Sequence, residues 1–337
     1  MSDQPFFLAR NQGFAVATAA DDFLHPAQNA EVTGDSLTET QYLGFSVPAH
    51  GIHALGYLWH HPNLRTLTGG LMAFQGHNPY SLSAHLFDMR TFQSDALLRN
   101  DLHEYRMENS YSVRVVEPLR RLHMSYHDTT RDNHAELAYT AITPPLMFGD
   151  GKHFEQGMRV VGELVLRGQP YKVDGYNVRD RSWAKLRPED AMSLPPVAWM
   201  TGCFGEDFVF NCNLIDHAGS NPRSAGMFAV PEERALNGGW IVRGGSEVSR
   251  VVKASKRVRR HMATLVPEAM ELSLTDEQGR VAVLTGRVLA SCPFSPWHNM
   301  LAHISLVEWS MDGKTGHGDS QDPLWNDYAH AWVGKHV

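Results

Sequence analysis

Cysteine is scarce in this sequence, which carries three in 337 residues, at Cys203, Cys212 and Cys292. An odd, low count without a CxxC pair supplies neither a disulfide framework nor a zinc knuckle, so we expect free, buried thiols. Long apolar runs are also missing. None approaches the roughly 18 residues that a membrane-spanning helix requires, and the first residues lack the features of a signal peptide. The sequence therefore predicts a cytoplasmic protein without stable membrane insertion.

An excess of positive charge is missing as well. The chain has 30 Lys and Arg residues against 37 Asp and Glu residues, a formal net charge of −7. A general nucleic-acid binder needs a positive field that displaces counterions, so we expect no nucleic-acid partner. The single basic run, residues 253–260 (KASKRVRR), favours a solvated hairpin or loop over a phosphate site.

Motifs that hold cofactors or metals are absent. Neither GxGxxG nor GxxxxGK[ST] occurs, which leaves nucleotide cofactors without support, and there is no GxSxG nucleophile elbow. Histidine is abundant at 19 residues, yet no HExxH, HxH or facial-triad spacing appears. His60 and His61 are adjacent, so on a strand they face opposite ways. We therefore expect no metal and no cofactor.

Short segments of alternating polarity, separated by turn residues, dominate the chain. Residues 163–174 predict two strands around a turn at residues 168–169, and residues 271–284 predict a second hairpin in which Gly279 supplies a positive φ. Apolar stripes of helical period are scarce, and residues 87–104 predict only one or two helical turns. Similar alternation covers residues 113–126, 135–142, 208–215 and 303–309. The pattern predicts an all-β protein of antiparallel barrels or sandwiches, with few short helices.

The length of the chain suits two domains of moderate size. Prolines and charged residues interrupt the strand pattern between Trp183 and Trp199. Because proline removes a ladder donor and restricts φ, this stretch is interpreted as a linker. We therefore expect an N-terminal domain of residues 1–185 and a C-terminal domain of residues 186–337.

The densest polar and aromatic run lies in two segments joined by the first hairpin. They are residues 153–159 (HFEQGMR) and residues 176–183 (YNVRDRSW). Alternate residues of a strand share a face, so His153 and Glu155 point to one side and Gln156 to the other. The two segments are therefore predicted to place chemistry on both faces of one strand pair.

Asp180 is the candidate acid or base. If it faces a barrel interior, burial raises the pKa of its carboxyl unless an arginine or histidine holds it ionised. His153 beside Asp180 would complete an acid/base pair near neutral pH. The competing interpretation is structural: Arg179, Asp180 and Arg181 form a salt-bridged plug, and Trp183 is core.

A third aromatic segment covers residues 56–62 (GYLWHHP). Trp59 and His60 in this segment are predicted to line the mouth of a pocket. Ordinary core packing of a strand is the commoner explanation of such residues.

At these residues the sequence resembles the double-lipocalin superfamily. The motifs are GKHFEQG at residues 151–157 and DGYNVRDRSW at residues 174–183, with EWSMDGKTGHG at residues 308–318 suiting the final strands. This superfamily includes AttH-like bacterial proteins, carotenoid hydratases, fungal Diels-Alderase-type cyclases and eukaryotic survival-factor lipid carriers. Two positions depart from the pattern: Ala184 replaces a glycine, and Arg181 stands where related proteins often carry histidine.

The resemblance implies two lipocalin-like antiparallel β-barrels packed side by side, an apolar ligand and no redox cofactor. From the carotenoid hydratases it implies that Asp180 protonates an alkene with His153 in support, while Trp183 and Tyr176 shield a carbocation. The further candidates for substrate binding are Glu155, Gln156, Arg179, Trp59 and His60.

Two classes of function stay open. The favoured one is a cofactor-free acid/base enzyme (hydratase/dehydratase, isomerase or cyclase) acting on a hydrophobic terpenoid, polyketide or aromatic substrate. The alternative is a non-catalytic carrier of a lipid or steroid-like ligand, in which Asp180 and its arginines are structural. A structural or interaction module is a weaker third option. The sequence leaves a homodimer open and names neither the substrate nor the direction of reaction.

Overall fold

The computed structural model describes residues 14–25, 37–98, 101–148, 150–187 and 194–336, and these residues are mostly strands. The strands are β1 (Ala15–Val16), β2 (Leu37–Val47), β3 (Ile52–His61), β4 (Thr66–Gln75), β5 (Leu86–Ser94), β6 (Glu104–Arg106), β7 (Ser112–Glu117), β8 (Arg121–Asp128), β9 (Asn133–Ala141), β10 (Leu146–Met147), β11 (His153–Leu166), β12 (Gln169–Leu186), β13 (Val197–Cys203), β14 (Phe208–Ile215), β15 (Leu236–Arg243), β16 (Glu247–Arg260), β17 (Pro267–Asp276), β18 (Val281–Trp297), β19 (Met300–Met311) and β20 (Lys314–Trp325). The helical elements are α1 (Asn326–His336) and 3-10 turns at Ala19–Asp22, Pro48–His50, Pro62–Leu64, Ser81–Ser83, Asp95–Leu98, Pro222–Ser224 and Glu232–Arg234. The predicted all-β class is confirmed.

The chain divides into two compact units. Unit 1 comprises Met1–Phe74 and Ala84–Pro188, and unit 2 comprises Gln75–Ser83 and Glu189–Val337. The segment Gln75–Ser83 lies inside the expected N-terminal domain but belongs to unit 2. Backbone hydrogen bonds hold it there, since the Asn78 N–H donates to the Ser291 carbonyl at 2.7 Å. Such backbone pairing is independent of side-chain pattern, so the sequence carries no signal for it.

Unit 1 is a curled antiparallel sheet of 12 strands. Ten of them follow the order β5-β4-β3-β2-β12-β11-β9-β8-β7-β6; β10 pairs with β11, and β1 pairs with β10. One side of the sheet, the core face, carries a continuous apolar cluster that includes Phe45, Leu58, Met158 and Val160. The other side is called the second face below. The strand order of the described residues does not close this sheet into a ring, so unit 1 is a half-barrel.

The hairpin between β11 and β12 sets the register of both. Leu166 pairs with Gln169, so the turn consists of Arg167 and Gly168, one residue earlier than predicted. Both turn residues have positive φ, 51° and 78°. A two-residue turn of this hand matches the twist of the strands, which is why it displaces the predicted position.

Unit 2 is a closed barrel in which β13 to β20 follow one another in sequence order. Closure leaves no unpaired strand edge. Its interior cluster includes Phe210, Leu272 and Trp309. Helix α1 adds Tyr328 and Trp332 to a smaller cluster.

The basic run is part of strand β16 in the β16–β17 hairpin. The expectation of a solvated hairpin or loop is confirmed for the exposed Lys253, Arg257 and Arg259 and was wrong for two other cations. Lys256 and Arg260 are buried, and both bind Asp216, at 2.6 and 2.9 Å. Arg260 also pairs with Asp322. Two acidic partners far away in sequence compensate the buried cations, which composition alone does not reveal.

Of the one or two helical turns expected within residues 87–104, the described residues contain one, the 3-10 turn Asp95–Leu98. Strand β5, Leu86–Ser94, precedes it. Pairing with β4 makes β5 a strand even though its alternation is broken, with Phe92 exposed and at φ 56°. No helix among the described residues is long and apolar enough to cross a membrane.

Candidate functional site

Three neighbouring strands of unit 1 bring the predicted site residues together. In the β11–β12 ladder, Glu155 lies opposite Asp180 and His153 opposite Ser182. On the other side of β12, Asp180 lies opposite Tyr42 of β2. Residues paired across an antiparallel ladder share a face, so all five side chains lie on the second face.

His153 is positioned between two carboxylates. Its Nε2 is 3.6 Å from Asp180 Oδ2 and 3.6 Å from Glu155 Oε1. The Glu155 side chain is fully buried, whereas those of His153 and Asp180 are 20% and 21% exposed. Phe148 stacks on the imidazole with ring centroids 5.0 Å apart. His153, Glu155 and Asp180 are called the His153 cluster from here on.

Aromatic and hydroxyl groups of the second face surround this cluster. The rings of Tyr57 and Trp59 lie 5.1 Å apart. Burial and, next, the charge of Asp180 raise the pKa of Tyr57 to about 12, so its hydroxyl stays protonated at neutral pH. Ser182 Oγ is 2.7 Å from Thr40 Oγ1 and accepts a hydrogen bond from Arg187 at 3.0 Å. The second face therefore carries proton-transfer groups, hydroxyl groups and aromatic rings close together.

Arg179 lies on the core face in a closed network. Its guanidinium donates to both oxygens of Asp22, at 2.6 and 3.3 Å, and to Gln156 Oε1 at 3.0 and 2.8 Å. The Gln156 amide donates in turn to the carbonyls of Leu119 and Thr143. Burial alone would raise the pKa of Asp22, but Arg179 holds it below the usual range.

Arg181 anchors a second network on the core face. It donates to Glu39 Oε1 at 2.6 Å and to the carbonyls of Thr40 and Phe23. Glu39 also binds His25 at 3.0 Å, and the His25 ring stacks on Trp183 at a centroid distance of 3.9 Å. Burial would raise the pKa of Glu39, yet the Arg181 charge lowers it. The Trp183 ring therefore packs on His25, which in turn holds Glu39 in its ion pair with Arg181.

The predicted salt-bridged plug of Arg179, Asp180 and Arg181 was wrong in one respect. Both arginines do form buried ion pairs, but with Asp22 and Glu39 rather than with Asp180. Strand alternation puts Asp180 on the opposite side of the sheet from its two neighbours. The Asp180 carboxylate is consequently available to His153.

The structure divides the predicted site residues by face. The second face brings together His153, Glu155, Asp180 and Trp59, and also carries Tyr176 farther along β12 opposite Arg159. The core face holds Gln156, Arg179, Trp183 and His60, and burial lowers the pKa of His60. Sequence reasoning missed Asp22, Glu39, Tyr57 and Arg187. For Tyr57 a signal existed, because it lies in the aromatic segment that contains Trp59.

The chemistry open to the His153 cluster is proton transfer. In the part of the chain that the structure describes, no group of three or more His, Cys, Asp or Glu side chains is arranged to hold a metal ion. An imidazole within reach of two carboxylates can accept a proton from a bound molecule or deliver one to it.

Solved structures with the same fold match almost the whole chain. Kievitone hydratase from Nectria haematococca aligns with a TM-score of 0.54 and 11% identity, over 96% of this chain and 99% of that one. A protein assigned as AttH from Nitrosomonas europaea aligns with a TM-score of 0.52 and 12% identity, over 92% and 97% of the two chains. CghA aligns with a TM-score of 0.51 and 11% identity, over 95% and 98%.

At these identities the likeness concerns the fold. The all-β fold that the motifs of β11 and β12 implied is thus shared with these three proteins. No curated protein matches the sequence. One family model matches residues 18–328, and this chain therefore belongs to the family described as the domain of unknown function DUF7064.

Proposed function

We propose that this protein is an acid/base enzyme that hydrates or dehydrates a hydrophobic molecule, with the His153 cluster as its proton-transfer centre. The observation that carries the proposal is the position of Asp180. The arginines on either side of it are bound on the core face, by Asp22 and Glu39. Asp180 faces His153 instead, at 3.6 Å. Asp180 Oδ1 has no hydrogen-bond partner among the described residues.

The separations of 3.6 Å are compatible with proton transfer. Catalytic hydrogen bonds often shorten when substrate binds. Buried Glu155 lies beside the ring, and the side chains of His153 and Asp180, each about a fifth exposed, meet the substrate. Arg179, Gln156 and Trp183 belong to the networks of the core face, and we assign them a structural role.

The proposed reaction exchanges protons and one water molecule. In hydration the cluster gives a proton to one carbon of a carbon–carbon double bond, and water bonds to the neighbouring carbon. The water then loses a proton to the cluster, which returns to its starting state. Dehydration runs the same steps in reverse. No electrons are transferred, so the reaction requires no redox cofactor.

A terpenoid, polyketide or aromatic substrate suits the surroundings of the cluster. Tyr57, Trp59 and Phe148 offer aromatic rings, and such rings stabilise the positive charge that develops when an alkene is protonated. Isomerisation or cyclisation of the same substrates would need the same acid and base. The likeness in fold to kievitone hydratase, over 96% of this chain, supports hydration as the first reaction to test.

The test starts from the small molecules of the source cells. Their extract is incubated with the protein in heavy-oxygen water, and mass spectrometry detects pairs of compounds that differ by one labelled water. For the pair found, we expect Asp180→Asn and His153→Gln to lower kcat by about a hundredfold or more while the circular dichroism spectrum is unchanged.

Asp174→Asn is the matched control. Asp174 lies on the same strand and face, but it is exposed and binds Arg159 at 3.0 Å. Its kcat should equal that of the wild type. Full activity of Asp180→Asn on the labelled substrate would overturn the assignment. A molecule that co-purifies and is returned unchanged by every variant would instead establish the carrier.

A further inference from the structure

Unit 2 contains a cavity of about 970 Å³. Parts of β18, β19 and β20, the residues just before β17, helix α1 and the segment of residues 77–81 form its wall. All of these belong to unit 2. Apolar side chains that face it include Leu265, Leu301, Leu324 and Trp332. The volume is within the range of small-molecule sites, and the wall suits an apolar ligand.

His303 is the unusual residue of this wall. It lies on β19, is 1% exposed, and neither ring nitrogen has a side-chain hydrogen-bond partner among the described residues. The Thr264 backbone is the group that its ring N–H approaches. Burial lowers its pKa to about 4; the Asp322 charge opposes this shift and the Arg260 charge adds to it. The imidazole is therefore neutral at physiological pH; its N–H is directed to the Thr264 backbone carbonyl, and its other nitrogen is an acceptor. Buried polar groups of this kind are normally satisfied.

The charged side chains around the cavity are already paired, and so is His77. Arg259 binds Glu268 at 3.0 Å, and Arg287 binds Glu308 at 2.8 Å. His77 pairs with Ser291 at 2.9 Å. Because both arginines are neutralised by carboxylates, the wall does not attract an anion such as a carboxylate or a phosphate.

We propose that this cavity binds a neutral, mainly apolar molecule with a hydroxyl group, which makes a hydrogen bond with the buried His303 ring. A phenol or an alcohol can donate to the acceptor nitrogen. The apolar body of the ligand lies against Leu301, Leu324 and Trp332. This site is separate from the His153 cluster of unit 1 and holds whether or not that cluster is catalytic.

The test uses naphthol, naphthalene and naphthoate as probes on the full-length protein, with calorimetric titration. We expect naphthol to bind more tightly than naphthalene, and naphthoate to bind weakest. His303→Leu removes the hydrogen bond, so its affinity for naphthol should fall about fivefold to tenfold while that for naphthalene is unchanged. Ala329→Trp places a large ring in the cavity wall and should abolish binding of naphthol.

Two further variants make the result specific. His303→Gln keeps a donor and an acceptor, so it should bind naphthol more tightly than His303→Leu, and it replaces that variant if His303→Leu does not fold. His261→Leu changes an exposed histidine of the rim and should bind like the wild type. Equal naphthol affinity in the wild type, His303→Gln and Ala329→Trp would overturn the proposal, as would naphthoate binding more tightly than naphthol.

Discussion

Asp22 and Glu39 show that the role of a charged residue is set by its partner. Each carboxyl is buried, and burial by itself would raise its pKa. The guanidinium groups of Arg179 and Arg181 reverse that effect and hold both pKa values below the usual range. A carboxyl with a lowered folded-state pKa stabilises the fold above its unfolded pKa, and this contribution is lost as the pH falls through the folded value. Both networks should therefore weaken in acid.

The first prediction at this scale concerns Asp22→Asn. The change leaves Arg179 buried without its counter-charge, and breaking one side of a buried pair costs about 3–5 kcal/mol. Urea unfolding at neutral pH, followed by circular dichroism, should show this loss. The difference from the wild type should shrink as the pH falls below 3.8, the ordinary pKa of an aspartate carboxyl.

Asp174→Asn supplies the comparison, because its ion pairs with Arg159 and Lys172 are exposed. A surface pair contributes at most about 1 kcal/mol, so this variant should unfold close to the wild type. If Asp22→Asn and Asp174→Asn unfolded at the same urea concentration, the Arg179 network would not stabilise unit 1.

At the scale of the element, the β17–β18 hairpin depends on one side chain. Asp276 Oδ1 accepts backbone hydrogen bonds from Gln278 at 3.0 Å and Arg280 at 2.9 Å. Its Oδ2 accepts from the guanidinium groups of Arg280 and Arg243, at 2.8 and 2.7 Å. Gly279 has a φ of 79°, as the sequence predicts. An aspartate that binds the backbone two residues on is a recognised turn former.

Asp276→Ala should destabilise unit 2 by about 1–3 kcal/mol, because it leaves the turn N–H groups and Arg243 without their acceptor. Asp276→Asn keeps the bonds to the backbone and should destabilise unit 2 less.

Despite the opposing effect of burial, hydrogen bonds from Arg280 lower the pKa of Asp276 from 3.8 to about 2. The contribution is thus complete above 3.8 and disappears as the pH falls towards 2, so the gap between the wild type and the alanine variant should narrow over that interval. Urea titrations at several pH values measure this, and a gap independent of pH would contradict it.

At the scale of the whole molecule, the reactivity of the cysteines measures the opening of unit 2. Cys203, Cys212 and Cys292 form no disulfide and are buried, and all belong to unit 2. Burial raises the pKa of Cys292 to about 12 and that of Cys203 well above its ordinary value. The reactive thiolate is therefore scarce, and reagents reach the sulfur only after unit 2 opens.

We expect iodoacetamide at pH 8 to leave the native protein unlabelled and to label all three thiols in urea, as mass spectrometry would show. The urea dependence of labelling should follow the unfolding of unit 2, so Asp276→Ala should shift it. Ser246→Cys places a thiol in an exposed turn and should react at once, which verifies the reagent. Rapid labelling of the native wild type would contradict the burial of the cysteines.

The sequence by itself determined the features that depend on neighbouring residues: strands, the faces of their side chains, and turns. Alternation identifies several strands of each unit, among them β8, β9, β14 and β19, because a strand has a side-chain period of two. The same period separates His153 and Glu155 from Gln156, and Asp180 from its two arginines, before any fold is known. Turn chemistry placed the hairpin at Gly279, and the resemblance carried by the motifs of β11 and β12 implied an all-β fold.

Only the tertiary structure decided which groups meet. Asp22 and Glu39 lie more than a hundred residues before their arginines, and Asp216 pairs with a lysine and an arginine from a run that looks solvated. Such partners depend on strand order, register and burial, and none of these leaves a local pattern in the sequence. The closed barrel, the place of residues 75–83 in unit 2 and the buried His303 follow from the same long-range packing.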